Sequence, residues 1–363
     1  MRVAALVLLG GCSAVFGLAA PQHAVDAADD SSAPGDSIDA KIDIADAAPG
    51  HCVTQADCPT SVCLPSTVCA ADTDVAWLAQ SGTPGSMCTM QTPCARLLDA
   101  LQTNKPYIRV AGTISNLASI GHDVMIFAGE SGAGFNGTVN ANSGVIGLYG
   151  LNLTSGNNCV NNSGGTLTIE HAFVHACGSL AISSGSPLTL DGSTITRCRN
   201  GGVVIQGGSF VITNNFITQN GLGMTQTGGV TIQMVNALAM NRLDFNTIAT
   251  NNIKSSPGVA GGVYCNLAGF TGVGNVIVHN TVNGSTSVNY ANTNGQCSYT
   301  SSVIQAADSL GFVNTGAGNN YHLTAQSSLR DVPGVTTSLT TDVDGESRPY
   351  GNAYDLGADE YHP

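Results

Sequence analysis

The sequence predicts an all-β fold, a right-handed parallel β-helix, in which short strands wind into three-sided coils stacked along one axis. Three observations lead there. A stretch of eleven residues recurs at a spacing of 21, a motif Asn-x-Ile-x-x-Asn recurs further on, and glycine-marked corners separate short apolar runs. Composition agrees: the 363 residues include 45 Gly and 30 Asn, and only 10% are charged, where a globular chain carries roughly 25%. Gly, Asn, Ser and Thr suit tight turns and short strands better than helices.

The repeat is explicit. Leu167-Thr-Ile-Glu-His-Ala-Phe-Val-His-Ala-Cys177 is matched by Leu188-Thr-Leu-Asp-Gly-Ser-Thr-Ile-Thr-Arg-Cys198, and 22 residues later by Phe210-Val-Ile-Thr-Asn-Asn-Phe-Ile-Thr-Gln-Asn220. Within the last copy, Asn215-x-Ile217-x-x-Asn220 returns as Asn246-x-Ile248-x-x-Asn251 and Asn275-x-Ile277-x-x-Asn280. One apolar column therefore runs Leu153, Val174, Ile195, Ile217, Ile248, Ile277. A second follows each corner: Leu180 and Ile182, Val203 and Ile205, Val230 and Ile232, Val263 and Cys265. A third comprises Leu167/Ile169, Leu188/Leu190 and Phe210/Ile212. No two-residue turn links these runs into hairpins, so each must pair with its equivalent one repeat away. Coils then stack ~4.8 Å apart, like residue over like, and the Asn side chains can bond the coils above and below. The steps of 31 and 29 residues after Ile217 and Ile248 imply loops at 221–228 and 253–262, the kind of face on which solenoids bind.

Ahead of the coils, residues 1–20 read as an export signal, with Arg2 before an apolar run. Two cleavage readings stay open: a lipobox at Leu9-Gly10-Gly11-Cys12, which would lipidate Cys12, and ordinary cleavage near Gly17-Leu18-Ala19. Either places the protein outside the cell or on the outer membrane. Residues 21–50 hold seven Asp and no aromatic, a composition that cannot bury a core and reads as a disordered acidic linker. Cys52, Cys58, Cys63 and Cys69 make residues 51–72 a four-cysteine module held by two bridges, because an oxidising compartment keeps disulfides; zinc is disfavoured because no C-x2-C pair is present. Cys88 and Cys94 are expected to pair locally. The coils span residues 73–305, opened by a capping helix within 92–104 that places Ala95, Leu97, Leu98 and Leu101 on one face. Stacking predicts a bridge between Cys177 and Cys198, which share a register, and another between Cys265 and Cys297, leaving Cys159 over.

These features resemble the pectate-lyase-like family of right-handed β-helix proteins, in the Asn-x-Ile-x-x-Asn coils and in the helix before Tyr107-Ile-Arg-Val110. From Asp308-Ser-Leu-Gly-Phe-Val-Asn314 through Asn320-Tyr-His-Leu323, Ser328-Leu-Arg-Asp331, Asp342-Val-Asp-Gly345 and Arg348-Pro349 to Tyr354-Asp-Leu-Gly-Ala-Asp-Glu-Tyr361, the C-terminus resembles the choice-of-anchor Q group of secreted β-helix proteins. The resemblance implies that residues 306–363 form a C-terminal cap and that Asp342-x-Asp344-Gly345 is a structural turn. The four-cysteine segment is similar to modules in secreted proteins of myxobacteria-like organisms. Such families hold polysaccharide lyases and glycosidases alongside members with no assigned activity, so fold alone does not assign function.

Candidate chemistry centres on Glu170 and Asp191, outward carboxylates in one register, with Asp244 continuing the column. Stacked carboxylates raise one pKa or recruit Ca²⁺, and a lyase would add a base from His175 or Arg197, with His171 and Arg199 nearby. The competing reading is a solvated salt-bridge cluster with Arg197 and Arg199. His171 and His175 fall on strand and turn, where their rings diverge, so they are not a metal pair. A net charge of -13 with three lysines disfavours nucleic acid. Two functions follow: a non-catalytic scaffold that binds a polysaccharide or cell-envelope glycan, and a polysaccharide lyase acting on uronate-containing glycans.

Overall fold

Apolar and polar residues alternate in runs too short to make a sheet alone, so each strand of two to five residues completes its hydrogen bonding on the coil above and below. In the computed structural model, which describes residues 52–223, 227–233, 241–254, 259–286, 291–305, 310–315 and 320–363, three long sheets result. The first has ten strands, from Val75–Ala79 to Ser298–Thr300; the second has nine, from Thr113–Ile114 to Val303–Gln305; the third has seven, from Val139–Ala141 to Thr293–Gly295. Their ladders are parallel and join strands of successive coils, which is a parallel β-helix. The export signal, Cys12 and the acidic linker lie outside the described residues, as do parts of both long loops.

The register bears out the repeat. Leu153, Val174, Ile195, Ile217, Ile248 and Ile277 stack in one column of the second sheet, and all are buried. In the first sheet, Ile108, Ile126, Leu148, Ile169, Leu190, Ile212 and Leu243 stack likewise; at about 1.5–3 kcal/mol for each buried aliphatic side chain, such columns are the main favourable term. The coils thus begin well before Leu153, with uneven steps that hide them from a search for a fixed period. The third-sheet column needs a correction. Val203 lies over Ile182, and Ile205 over Ser184; Leu180 pairs with Gly201, because the step here is 21 rather than 23. Ser184 is nevertheless buried, since its hydroxyl donates to the Ser186 carbonyl and accepts from Asn162 Nδ2.

Two corners bracket the second sheet, and each turns on a left-handed residue. At the first stand His171, Gly192, Asn214, Phe245 and Gly274; at the second, Ala176, Arg197, Gln219, Thr250 and His279, all with φ between 50° and 68°. A side chain in that region costs about 1–2 kcal/mol. The residue that follows supplies the compensation, because Asn215, Asn246 and Asn275 at the first corner, and Asn220, Asn251 and Asn280 at the second, are fully buried and joined into two ladders. Asn251 is typical: its Oδ1 accepts from Asn220 N (2.9 Å) and Asn220 Nδ2 (3.0 Å), while its Nδ2 donates to the Ile217 carbonyl (2.8 Å) and to Asn280 Oδ1 (3.0 Å). The motif is therefore corner, inward Ile, corner.

Two outer faces are covered, one by the four-cysteine module and one by the C-terminal segment. Trp77 starts an outward column of the first sheet that continues through Arg109, Phe127, Tyr149, Glu170, Asp191, Thr213 and Asp244. The four-cysteine module, bridged Cys52–Cys63 and Cys58–Cys69, docks on the aromatic part of it. Arg109 is buried there, donating to the carbonyls of Cys58, Ser61 and Gly129 with its guanidinium 5.1 Å from the Trp77 ring centre. The helix is shorter than expected, Leu97–Gln102, and turns Leu97, Ala100 and Leu101 inward. Leu98 is 46% exposed, because it lies roughly 100° around the helix from Leu97.

The C-terminal segment lies along the second sheet, where Tyr321, Leu323, Leu329, Leu356 and Ala358 pack on the outward side chains of Phe216, Phe245, Val276 and Val278. Arg348 and Glu360, both with fully buried side chains, form an ion pair at 3.4 Å. The Arg348 guanidinium also donates to the Gly357 carbonyl and lies 4.8 Å from the Phe245 ring centre.

The cysteines require a second correction. Cys177 bonds Cys159, not Cys198, which is a buried free thiol. Cys159 approaches from the previous coil, across the corner, with its Cα 5.6 Å away. Cys198 instead occupies the register of the Asn ladder, and its backbone N–H donates to Asn220 Oδ1. Cys88 pairs with Cys94, and Cys265 with Cys297.

Asn251→Ala strips acceptors and donors from two coils at once and should cost about 2–4 kcal/mol, read as a lower midpoint in chemical denaturation; an unchanged midpoint contradicts the ladder. Peptide mapping without reduction should recover a Cys159–Cys177 link, with Cys198 alkylated only after unfolding. A Cys177–Cys198 peptide would reverse the correction.

Candidate functional site

Among the described residues, the corner joining the first and second sheets is left open between the two covers at His171, which is exposed. Here the chain leaves Glu170, turns at His171 with φ 50°, buries Ala172 and enters the strand Phe173–His175. Gly192 follows His171 in the next coil, and a Cβ there would lie 2.7 Å from His171 Nδ1. A larger residue there would displace the imidazole from this position.

His171 lines two depressions. On the module side is a groove of about 430 Å³ whose walls include Gln55, Leu64, Phe127, Tyr149 and Glu170. Tyr149 stacks on Phe127 at 4.7 Å between ring centres. On the other side is a cleft of about 420 Å³, between the second sheet and the C-terminal segment, lined by Phe173, Thr194, Phe216, His322 and Asp344. Phe173 is 38% exposed and stacks on His175 at 4.2 Å. The cleft therefore offers aromatic rings beside polar groups.

Three stretches of the C-terminal segment converge on its far wall. His322, in the strand Asn320–Leu323, sets its ring edge-on to Phe216 at 5.0 Å. Its Nε2 is 2.8 Å from Asp344 Oδ2 and 3.9 Å from Asp359 Oδ1. Asp344 is positioned by the turn in which Asp342 Oδ1 accepts from the Asp344 and Glu346 N–H groups, so Asp342 acts as the structural element expected of it. The hydrogen bond to Asp344 holds the His322 pKa above its ordinary value, against burial, with Asp359 adding to the rise. The same bond holds the Asp344 carboxyl down. Burial pushes Asp359 up to about 7.

The sequence-derived residues divide between two places. Glu170 and Asp191 do share a register. Burial, and then Asp191, raise the Glu170 pKa, which His171 partly offsets; burial, and then Glu170, push the Tyr149 hydroxyl up to about 12. Asp191 is committed to its own face, accepting hydrogen bonds from Thr213 Oγ1 and Asn214 Nδ2, and Asp244 pairs with Arg242 at 2.8 Å. His175 stands at the far end of its strand, with Nε2 2.9 Å from Asn152 Oδ1 and its pKa lowered by burial and by Arg197. Among the described residues, no ion pair joins Glu170 or Asp191 to Arg197 or Arg199, so the salt-bridge cluster does not form; both arginines are exposed at the other corner. Where three or more potential metal ligands converge among the described residues, they are Cys52, Cys58 and Cys63, whose sulfurs are in disulfides, and His322, Asp344 and Asp359.

Sequence reasoning missed the cleft. His322 lies about 150 positions from His171, outside any repeat, and no local pattern announces that the two line one cleft. The long loops, marked as the binding face, leave from the opposite side of the second sheet.

No protein-family model and no curated protein matches this sequence. Among solved structures, the crystal structure of pectate lyase Pel9A is similar, with a TM-score of 0.47 and 13% identity, covering 79% of this chain and 96% of that one.

Because Glu170 is harder to ionise in the folded state, its protonated form is favoured there. Stability then falls as pH rises from the ordinary carboxylate range through the raised value. Glu170→Gln should raise the thermal midpoint at neutral pH and leave it unchanged well below the ordinary carboxylate pKa of roughly 4.3, where the parent side chain is protonated in both states; equal midpoints for parent and variant at neutral pH would refute the burial argument.

Proposed function

We propose that the protein is a non-catalytic glycan-binding scaffold at the cell surface or outside the cell, and that it holds a saccharide in the cleft over Phe173. The observation that carries this reading is the division of the acid–base set. Glu170 and Asp191 occupy one corner, while His175 and Arg197 occupy the next, with His175 already bonded to Asn152. A base must reach the proton it abstracts. Binding needs less: an exposed ring for the apolar face of a sugar, and polar groups at its edge, here Thr194, His171 and Asp344. A net charge of -13 favours a neutral or amino sugar over a polyanion. The export signal, the acidic linker and a lipid on Cys12 would present this rod on a tether.

The second reading is a polysaccharide lyase acting on uronate-containing glycans, with Ca²⁺ on Glu170 and Asp191. What favours it is the shared register of the two carboxylates.

A panel of neutral, amino-sugar and uronate oligosaccharides, assayed by calorimetry and by absorbance of unsaturated products with and without Ca²⁺, separates the two. Binding without product, weakened at least roughly tenfold in Phe173→Ala by loss of a stacked ring, is the expected result. Unsaturated product overturns the non-catalytic reading, and silence across the panel overturns saccharide binding.

A further inference from the structure

The far wall of the cleft carries a ligand set of its own. His322 Nε2 and the carboxylate oxygens of Asp344 and Asp359 all lie within 4.8 Å of one another, brought together from three separate stretches of chain. The tautomer of His322 is determined by its surroundings. Asn320 Oδ1 accepts from the His322 backbone N–H at 3.0 Å, which identifies that atom as the amide oxygen. The same oxygen lies 2.5 Å from Nδ1, so Nδ1 carries a hydrogen. Nε2 is then turned toward two carboxylates, where a proton held against Asp344 at 2.8 Å, or a metal ion in its place, can stand. The 3.9 Å gap from Nε2 to Asp359 Oδ1 is too long for a hydrogen bond. It is what an ion with bonds of about 2.1 Å can span.

We propose that His322, Asp344 and Asp359 bind a divalent transition-metal ion of the zinc class, with its remaining coordination positions facing the cleft and His171. The donor set favours zinc-class ions over Ca²⁺ or Mg²⁺, which take oxygen ligands. The second shell is in place. Asn320 fixes the imidazole in the way a carbonyl oxygen commonly orients a metal-binding histidine, and the Leu323 N–H holds Asp359 Oδ2 at 2.6 Å, leaving Oδ1 turned to the site. Asp359 is nearly buried while Asp344 is 48% exposed, so the site has a closed floor and an open side. Metal binding at these three residues requires no saccharide in the cleft.

Untagged full-length protein, stripped with a chelator, is titrated with Zn²⁺ by calorimetry and with Co²⁺ by visible absorption, in the absence of any saccharide. One ion per chain is expected, with Co²⁺ ligand-field bands and a thermal midpoint raised by Zn²⁺. His322→Gln and Asp344→Asn should each weaken Zn²⁺ affinity by at least roughly tenfold and abolish the bands. Asp344, at the open side, keeps the test valid should Asp359→Asn fail to fold. Equal affinity in parent and variants, no uptake of Zn²⁺, or a preference for Ca²⁺ would overturn the proposal.

Discussion

Registration of each coil on the one below is the constraint from which everything else in this molecule follows. A parallel ladder between coils holds equivalent residues ~4.8 Å apart, so an inward Ile meets other aliphatic side chains above and below, and a buried amide meets its own kind. The two Asn ladders show why the corners can be so tight. Each turn spends a left-handed residue, and each following Asn satisfies backbone N–H and carbonyl groups on neighbouring coils that the turn would otherwise strand. Because every amide in the ladder both donates and accepts, the network is closed; a partly satisfied one would cost more than an apolar corner.

The solenoid also has outward faces, and their composition determines what covers them. Along one column of the first sheet, Trp77, Arg109, Phe127 and Tyr149 give way to Glu170 and Asp191. The four-cysteine module docks on the aromatic part and stops where the acids begin. On the second sheet, Phe216, Phe245 and Val276 carry the C-terminal segment, pinned beneath by the buried pair of Arg348 and Glu360. Such a pair is weak evidence of net stabilisation, since desolvation offsets its attraction, but losing one partner leaves a buried charge. Its placement against Phe245 and the Gly357 carbonyl ties the segment to one position. Among the described residues the two covers flank the exposed corner at His171, which therefore borders both a groove and a cleft.

Particular residues show how far a single sequence can be read. Val174, Ile195, Ile217, Ile248 and Ile277 were legible as one column because a coil repeats its pattern along the chain, and position in the repeat is position in space. The shared register of Glu170 and Asp191 was legible for the same reason. Leu180 was placed two positions out because a glycine corner can be aligned by its glycines or by its apolar residues. The Cys159–Cys177 bridge was not legible: Cys198 matched Cys177 in register, whereas Cys159 reaches it diagonally across a corner, and register says nothing about diagonals.

The sequence by itself determined the β-helix, its main columns, its Asn ladders and the presence of a separate cysteine-rich module, since each is written as a local pattern with a period. Only the tertiary structure decided that the module and the C-terminal segment lie on outer faces, that Trp77 and Arg109 form a dock, and that His322, Asp344 and Asp359 face His171 across a cleft. Those contacts join segments far apart in the chain and occur once each. An outward Phe looks the same in sequence whether water or another segment covers it, and the difference is settled by burial alone.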